Sequence, residues 1–357
     1  MKKFLSLSLY LFFISHLFGE VEDPLSPVKL DWYKKLTIES ENLDLDIPQG
    51  FSGALLLFEN GNPVVSRGYG LAYEKEGTEF DTATPCRIGS LTKQFTAVSI
   101  LMLAERRSLK LDDLVSKYVP ELIFGDRVSI RQLLTHTSGV PEYSNLQMSL
   151  DVSKYWSCTD LVALFKDWDL DFIPGQKFQY SNSNYVLLGL IMEKITNERF
   201  ENFIIKNIIN KINLNKTGFE YLETEVKIAD FDNGISGVNF NTSFASSAGG
   251  MYSTAEDLLK WLLALNNNGL ITEKSKIEMW TPSLEGYGLG WLVEQIHLGG
   301  KEVNLYSHDG SIPGFYSHIS WMPGRDRIFI YLTNNPGFDG ASTLYPMENI
   351  FFRFDDL

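Results

Sequence analysis

The chain has little with which to build a metal or redox centre. Among 357 residues there are two cysteines, Cys86 and Cys158, and five histidines. No C-x-x-C occurs, and no histidine pair has the H-E-x-x-H spacing. Neither a structural zinc site nor a zinc hydrolase site is expected, and the residues call for no metal and no cofactor. Two isolated cysteines in a chain of this length read as small buried hydrophobes rather than as a bridge.

Positive charge is also scarce. Lysine and arginine number 31 against 45 aspartates and glutamates, for a net charge of -14, and no basic patch interrupts the excess. Such a surface repels nucleic acid and anionic membranes. The partner expected is a small-molecule or peptide substrate, not nucleic acid; the oligomeric state is left open. Internal repeats and low-complexity tracts are absent. Long apolar runs are absent too, with one exception at the N-terminus.

That exception reads as a secretory signal over residues 1–19. Lys2-Lys3 is followed by an apolar stretch from Phe4 to Phe18, too short for a comfortable membrane span. Leu17-Phe18-Gly19 is an indistinct cleavage site. The expectation is export to the periplasm or beyond the cell, with membrane attachment only if the segment stays uncleaved. Residues 20–45, polar and acidic, form a leader, and residues 46–357 the domain.

Within the domain, "FSGALLLFENGNPVVSRGYGLAY" from Phe51 places Asn60-Gly61 between apolar runs, a hairpin signal. Leu91 to about Arg107 has helical spacing. Residues 110–235 are mostly helix and loop, with candidate helices at 129–135, 159–167, 183–196 and 198–210. Ser253-Thr254-Ala255-Glu256 reads as a capping box opening another helix. After Tyr287 the text is strand-like: "YGLGWLVEQI", "EVNLYSH", "YSHISWM" and "RIFIYLTN". The pattern predicts an α+β fold. One antiparallel sheet is built from both ends of the chain and flanked by helices, with an all-helical subdomain, about 110–235, inserted between them.

"RIGSLTKQFTA" puts Ser90 and Lys93 one helical turn apart, on one face, where a helix begins. A serine needs a base within reach, and a lysine serves only when its pKa is lowered. The helix N-terminus adds backbone N–H groups for an oxyanion. A second S-x-x-K, Ser26 to Lys29, lies in the leader and contains a proline. No G-x-S-x-G occurs, which argues against an α/β-hydrolase elbow.

The triplet Tyr-Ser-Asn appears at Tyr143 and at Tyr180. A phenol to relay a proton and an amide to hold substrate would complement the Ser90–Lys93 pair. Tyr180 and Asn182 are followed by the apolar helix "YVLLGLIMEKI"; Tyr143 is followed by polar, irregular text and reads as a surface loop aromatic. H-x-G is also found twice. His297-Leu298-Gly299 reads as a hairpin turn. His308-Asp309-Gly310 follows the strand "EVNLYS" and precedes Ser311, whose N–H would be a second oxyanion donor.

These blocks together resemble a family, the serine β-lactamase-like hydrolases of the class C β-lactamase, D-Ala-D-Ala carboxypeptidase and esterase type. The likeness runs from about Phe51 to Asn334 through "IGSLTKQFTA", "LLTHTSGVPEY", "PGQKFQYSNSNYVLLG", "SSAGGMYSTAEDLLKW", "YGLGW" and "HDGSIPGF". The resemblance implies that Ser90 is acylated and that Lys93 and Tyr180 move protons. It implies that Asn182, His308, Gly310 and Ser311 bind substrate, the last through its main chain. It makes "HTSG" around His136 a structural turn. Within that family an esterase, an amidase, a carboxypeptidase, a β-lactamase or a non-turning ligand-binding homologue all remain open. Asp309 is a departure. Facing the cleft, it would disfavour a substrate carboxylate, and the substrate would be a neutral or cationic ester or amide. Turned the other way along the strand, it would not matter.

Overall fold

The Asn60-Gly61 turn has both residues at positive φ, 50° and 82°. That is the backbone a tight hairpin needs, and it joins β1 (Gly53–Glu59) to β2 (Asn62–Tyr69). The computed structural model describes residues 50–222, 225–230, 239–267, 269–298, 300–335 and 340–353. The signal and leader readings fall on residues outside these. No helix among the described residues is long and apolar enough to cross a membrane.

A short ribbon, β3 (Leu71–Tyr73) with β4 (Thr78–Glu79), follows the hairpin. Then β5 (Cys86–Arg87) runs through a tight turn, Gly89–Leu91, into helix α1 (Thr92–Glu105). Helix α1 is buried from Thr92 to Leu103, with the polar Thr92, Lys93, Gln94, Thr96 and Ser99 enclosed along with its apolar residues. Its Phe95 stacks on Trp261 with ring centroids 4.1 Å apart, and the Trp261 indole N–H donates to the Gln94 side chain at 3.1 Å.

The insertion carries α2 (Ile130–Leu134), α3 (Cys158–Ala163), α4 (Asn182–Thr196) and α5 (Phe200–Ile204), with a further turn over Ile205–Ile209. It also carries a strand, β6 (Gly218–Phe219). After α6 (Ser246–Gly249), strand β7 (Met251–Ser253) lies between β5 and β6 in a small sheet. Helix α3 ends at Ala163, earlier than its predicted bound of 167. Helix α7 (Ala255–Asn266) is capped by Thr254, which accepts from Asp257 N at 3.0 Å. The cap is therefore one residue later than predicted, because Ser253 is held in β7. Helix α8 (Glu273–Trp280) closes this segment.

The chain then builds the rest of the main sheet with β8 (Leu292–Leu298), β9 (Lys301–Ile312), β10 (Phe315–Met322) and β11 (Arg327–Thr333), before α9 (Gly340–Arg353). The strand order is β2-β1-β11-β10-β9-β8, antiparallel throughout. The register Gly53↔Thr333 to Glu59↔Arg327 joins the two chain ends, and Glu59 and Arg327 are ion-paired at its end. Every residue of β11 is buried, since this strand is covered on both faces. Cys86 and Cys158 are free and buried.

Candidate active site

Ser90 occupies the turn between β5 and α1. That turn is tied down on three sides. Ile88 N–H donates to Met251 O at 3.0 Å, the Ser317 hydroxyl donates to Ile88 O at 2.8 Å, and Met251 N–H donates to the Thr92 hydroxyl at 3.2 Å. Gly89 adopts φ +48° and lies so close to β9 that a Cβ there would sit 2.8 Å from Ser311 N. The backbone of Ser311 thus borders the serine turn. Pairing with β8 ends at Leu292↔Ser307, so β9 beyond that point pairs with β10 alone.

Lys93 is fully buried in the first turn of α1. Its Nζ lies 3.0 Å from Ser90 Oγ, 2.8 Å from Asn182 Oδ1 and 2.8 Å from Ala248 O. Burial pushes its pKa down to about 7, with the Glu142 carboxylate pulling the other way. The helix N-terminus also disfavours a cation here. The neutral amine can accept the Ser90 proton while donating to the other two partners.

Tyr180 lies over this amine, with its ring centroid 4.7 Å from Nζ. Burial holds its phenol above the ordinary range, and the Ser90 hydroxyl, a hydrogen-bonding neighbour, opposes the shift. His136 fixes the tyrosine from both sides in sequence. Gln179 N–H donates to its carbonyl at 2.9 Å, and Ser181 N–H to its Nδ1 at 3.1 Å. The two rings lie 4.3 Å apart. With Nδ1 accepting, the His136 proton belongs on Nε2. Burial keeps the ring neutral, and Lys93, whenever it is protonated, acts in the same direction.

Tyr143 is not the surface aromatic that its sequence context suggests. It is 1% exposed, and its hydroxyl donates to Phe244 O. Its loop wraps the start of α4. Tyr143 N–H donates to the Ser183 hydroxyl at 2.9 Å, and Asn182 N–H donates to the Glu142 carboxylate. The two Tyr-Ser-Asn copies are therefore neighbours, one in the core and one at the amine. Glu142 has no counterpart among the predicted site residues, although it lies within "LLTHTSGVPEY".

His308 and Gly310 lie within β9 rather than after it, because the strand continues to Ile312. The His308 Nδ1 lies 2.6 Å from its neighbour's carbonyl, Asp309 O, which can only accept; the proton is on Nδ1. Nε2 then accepts from the Tyr287 hydroxyl at 2.8 Å. Burial, with Lys93 adding, lowers its pKa to about 4, so the ring is neutral. Tyr287 was missed as an individual residue, though it opens the block "YGLGW". A Cβ on Gly310 would come 2.1 Å from Ile88 O. His297 is exposed in β8, beside the hairpin to β9. Asp309 points to the opposite face of the sheet from His308. There His318 Nδ1 and the Tyr345 hydroxyl each reach its Oδ1 at 2.8 Å. The carboxylate therefore neither lines the cleft nor stands unpaired in solvent.

An antiparallel sheet with a helical insertion, and a Ser–Lys–Tyr cluster where the two meet, define the β-lactamase/transpeptidase type of fold. The Beta-lactamase family model matches residues 46–347, and the chain belongs to that family. Over 314 residues it is 28% identical to "Protein flp" of Staphylococcus aureus (strain COL). The match covers 82% of this chain and 61% of that protein, so the chain spans about three fifths of its relative's length. A penicillin-binding protein from Bacillus halodurans has a similar structure, with TM-score 0.73 and 27% identity over 84% of this chain and 96% of that one. A D-amino acid amidase from Ochrobactrum anthropi SV3 shares the fold at TM-score 0.72 and 24% identity, covering 84% of this chain and 95% of that one.

Proposed function

We propose that the protein is a serine hydrolase that cleaves an ester or amide through an acyl-enzyme. The observation that carries this reading is the buried Lys93 amine, 3.0 Å from the Ser90 hydroxyl and with its pKa near 7. Neutral Lys93 takes the Ser90 proton as Oγ adds to the substrate carbonyl. The N–H groups of Ser90 and Ser311 hold the developing oxyanion. Tyr180, a phenol at every working pH, passes its proton to the leaving group and is reprotonated from Lys93. Water then attacks the acyl-enzyme ester, gives a proton back through the same pair, and frees the acid and Ser90. Asn182, whose Oδ1 is held by Lys93, offers its Nδ2 to the substrate carbonyl or amide, and His308 and Gly310 line the facing edge.

The charges near this amine favour a neutral or cationic substrate. Glu142 and Asp309 both act on Tyr180, and His308 is neutral. Asp309 is matched by His318, which leaves Glu142 as the group that repels a substrate carboxylate. An amide substrate is supported by the fold shared with a D-amino acid amidase. The apolar segment behind Lys2-Lys3 supports export.

The test is a panel of p-nitrophenyl esters, an amino-acid amide, a cephalosporin and a D-Ala-D-Ala peptide, run beside Ser90→Ala. Steady turnover of an ester or amide by wild type alone supports the reading. Stoichiometric labelling without turnover would turn it into a binding protein, and labelling that survives Ser90→Ala would defeat the mechanism.

A further inference from the structure

A buried ionic cluster lies on the other face of the sheet, directly behind the cleft edge, and the reaction steps above do not use it. His318 of β10 is 4% exposed and stands opposite Asp309 in the β9–β10 register. Its Nδ1 lies 2.8 Å from Asp309 Oδ1. Its Nε2 lies 2.7 Å from Ser320 Oγ and 3.2 Å from Glu348 Oε2. The Ser320 hydroxyl donates to Glu348, so its oxygen accepts from Nε2. A carboxylate and a hydroxyl already donating elsewhere can only accept, and the geometry therefore requires a proton on both ring nitrogens. His318 is an imidazolium between two carboxylates, one on β9 and one on α9. Burial works against this charge, but Glu348 and Asp309 outweigh it and raise the pKa to about 10. The other groups facing the ring are Tyr345, whose hydroxyl also donates to Asp309, and Tyr331, stacked at 5.4 Å. His308, one residue from Asp309 on the cleft side, acts on neither nitrogen directly.

The cluster grips a particular piece of backbone. Beyond Ser307 the strand β9 has no β8 partner, yet this piece carries His308, Gly310 and the Ser311 N–H. Asp309 sits in its middle, and its carbonyl accepts a hydrogen bond from the His308 Nδ1–H. We propose that His318 is a positioning residue for acyl transfer. Through Asp309 it locks the half-paired end of β9 to helix α9 and so sets the Ser311 N–H and the His308 ring relative to Ser90. The proposal rests on the acyl-enzyme reading of the cleft. The ligand held is internal, and substrate does not touch His318.

The experiment combines a measurement on the unaltered protein with a mutant cycle. In ¹⁵N NMR of wild type, both His318 nitrogens should be protonated at pH 8.5, titrating only above pH 9. A neutral ring at that pH, or an ordinary midpoint near 6.5, would overturn the proposal without any variant. His318→Gln and Asp309→Asn, compared by burst kinetics on a p-nitrophenyl ester, should each lower the acylation rate about tenfold to a hundredfold, with KM changed less than threefold. The double variant should fall no further than the worse single one, since both break one link. Rates within twofold of wild type, or losses that multiply in the double variant, would overturn it. Fluorophosphonate labelling of wild type and Ser90→Ala is run alongside. Loss of specificity for Ser90 there defeats the acyl-enzyme reading itself, a result separate from the His318 outcome.

Discussion

Lys93 Nζ lies 3.0 Å from Ser90 Oγ and 2.8 Å from Asn182 Oδ1, so one buried amine bridges the serine hydroxyl and the asparagine side-chain amide. Its depressed pKa gives the first prediction a sign. The base must be neutral, so kcat/KM for a non-ionising ester should rise about tenfold per pH unit below the midpoint and level off above it. The midpoint should lie at about 7. A profile flat from pH 5 to 9 would remove Lys93 from the role of base. Lys93→Ala should cost about 10²–10⁴ in kcat. Lys93→Arg should not restore it, because a guanidinium stays protonated at these pH values.

The two tyrosines of the repeated triplet should separate cleanly. Tyr180→Phe removes the proton relay and should lower kcat by about 10²–10⁴ with little change in melting temperature. Tyr143→Phe leaves the Phe244 carbonyl without its donor in the core. It should cost about 1–3 kcal/mol of stability by denaturant titration while leaving kcat within a few-fold. The reverse pattern would reassign the triplets.

Much of this site is written in local spacing. Ser90 and Lys93 are three residues apart at a helix start, a pair that the helical period makes visible, and Tyr180 and Asn182 are told from the Tyr143 copy by the apolar helix that follows them. The hairpin at Asn60-Gly61 and the four closing strands are legible for the same reason, since turn chemistry and apolar runs are local. The unforeseen residues are those that only tertiary folding delivers. Glu142 reaches the Asn182 N–H because its loop wraps the first turn of α4, and Tyr287 reaches the His308 ring because its loop meets β9. Strand alternation leaves two choices for Asp309, and nothing within β9 names His318 or Tyr345 as what waits on the far face. Tyr143 misled because polar neighbours suggested exposure, whereas its own ring packs beside Phe244 at 5.3 Å.

Glu142 offers a prediction in which the pH profile and the specificity move together. Its carboxylate raises the pKa of Lys93 against the larger effect of burial. Glu142→Gln keeps an acceptor for Asn182 N–H but removes the charge. The rising limb of kcat/KM should therefore shift to lower pH. For matched esters with and without a carboxylate, the preference for the uncharged one should shrink, by about tenfold if the charge contributes about 1.4 kcal/mol. A limb that moves upward, or stays put with specificity unchanged, would place Glu142 as a helix-capping group only.

Gly310 tests the contact between the serine turn and the half-paired strand. A Cβ there would lie 2.1 Å from Ile88 O and 2.2 Å from Ser317 Oγ, inside any real contact distance, and Ser317 is bonded to that same Ile88 carbonyl. The carbonyl belongs to the residue two before Ser90, so the clash cannot be relieved by a flexible side chain. Gly310→Ala must push β9 away from the turn or break the Ser317 hydrogen bond. Overpacking of this kind costs about 1–3 kcal/mol, so a lower melting temperature is expected. A displacement of about 1 Å between Ser311 N–H and Ser90 should cost about a hundredfold in acylation rate. Phosphonylation of Ser90 by a fluorophosphonate, which forms the Oγ–P bond as fluoride leaves and needs the same oxyanion donors, should slow in parallel with ester turnover. If labelling stayed at the wild-type rate while stability fell, the β9 backbone would be a packing element and Ser311 would not be an oxyanion donor.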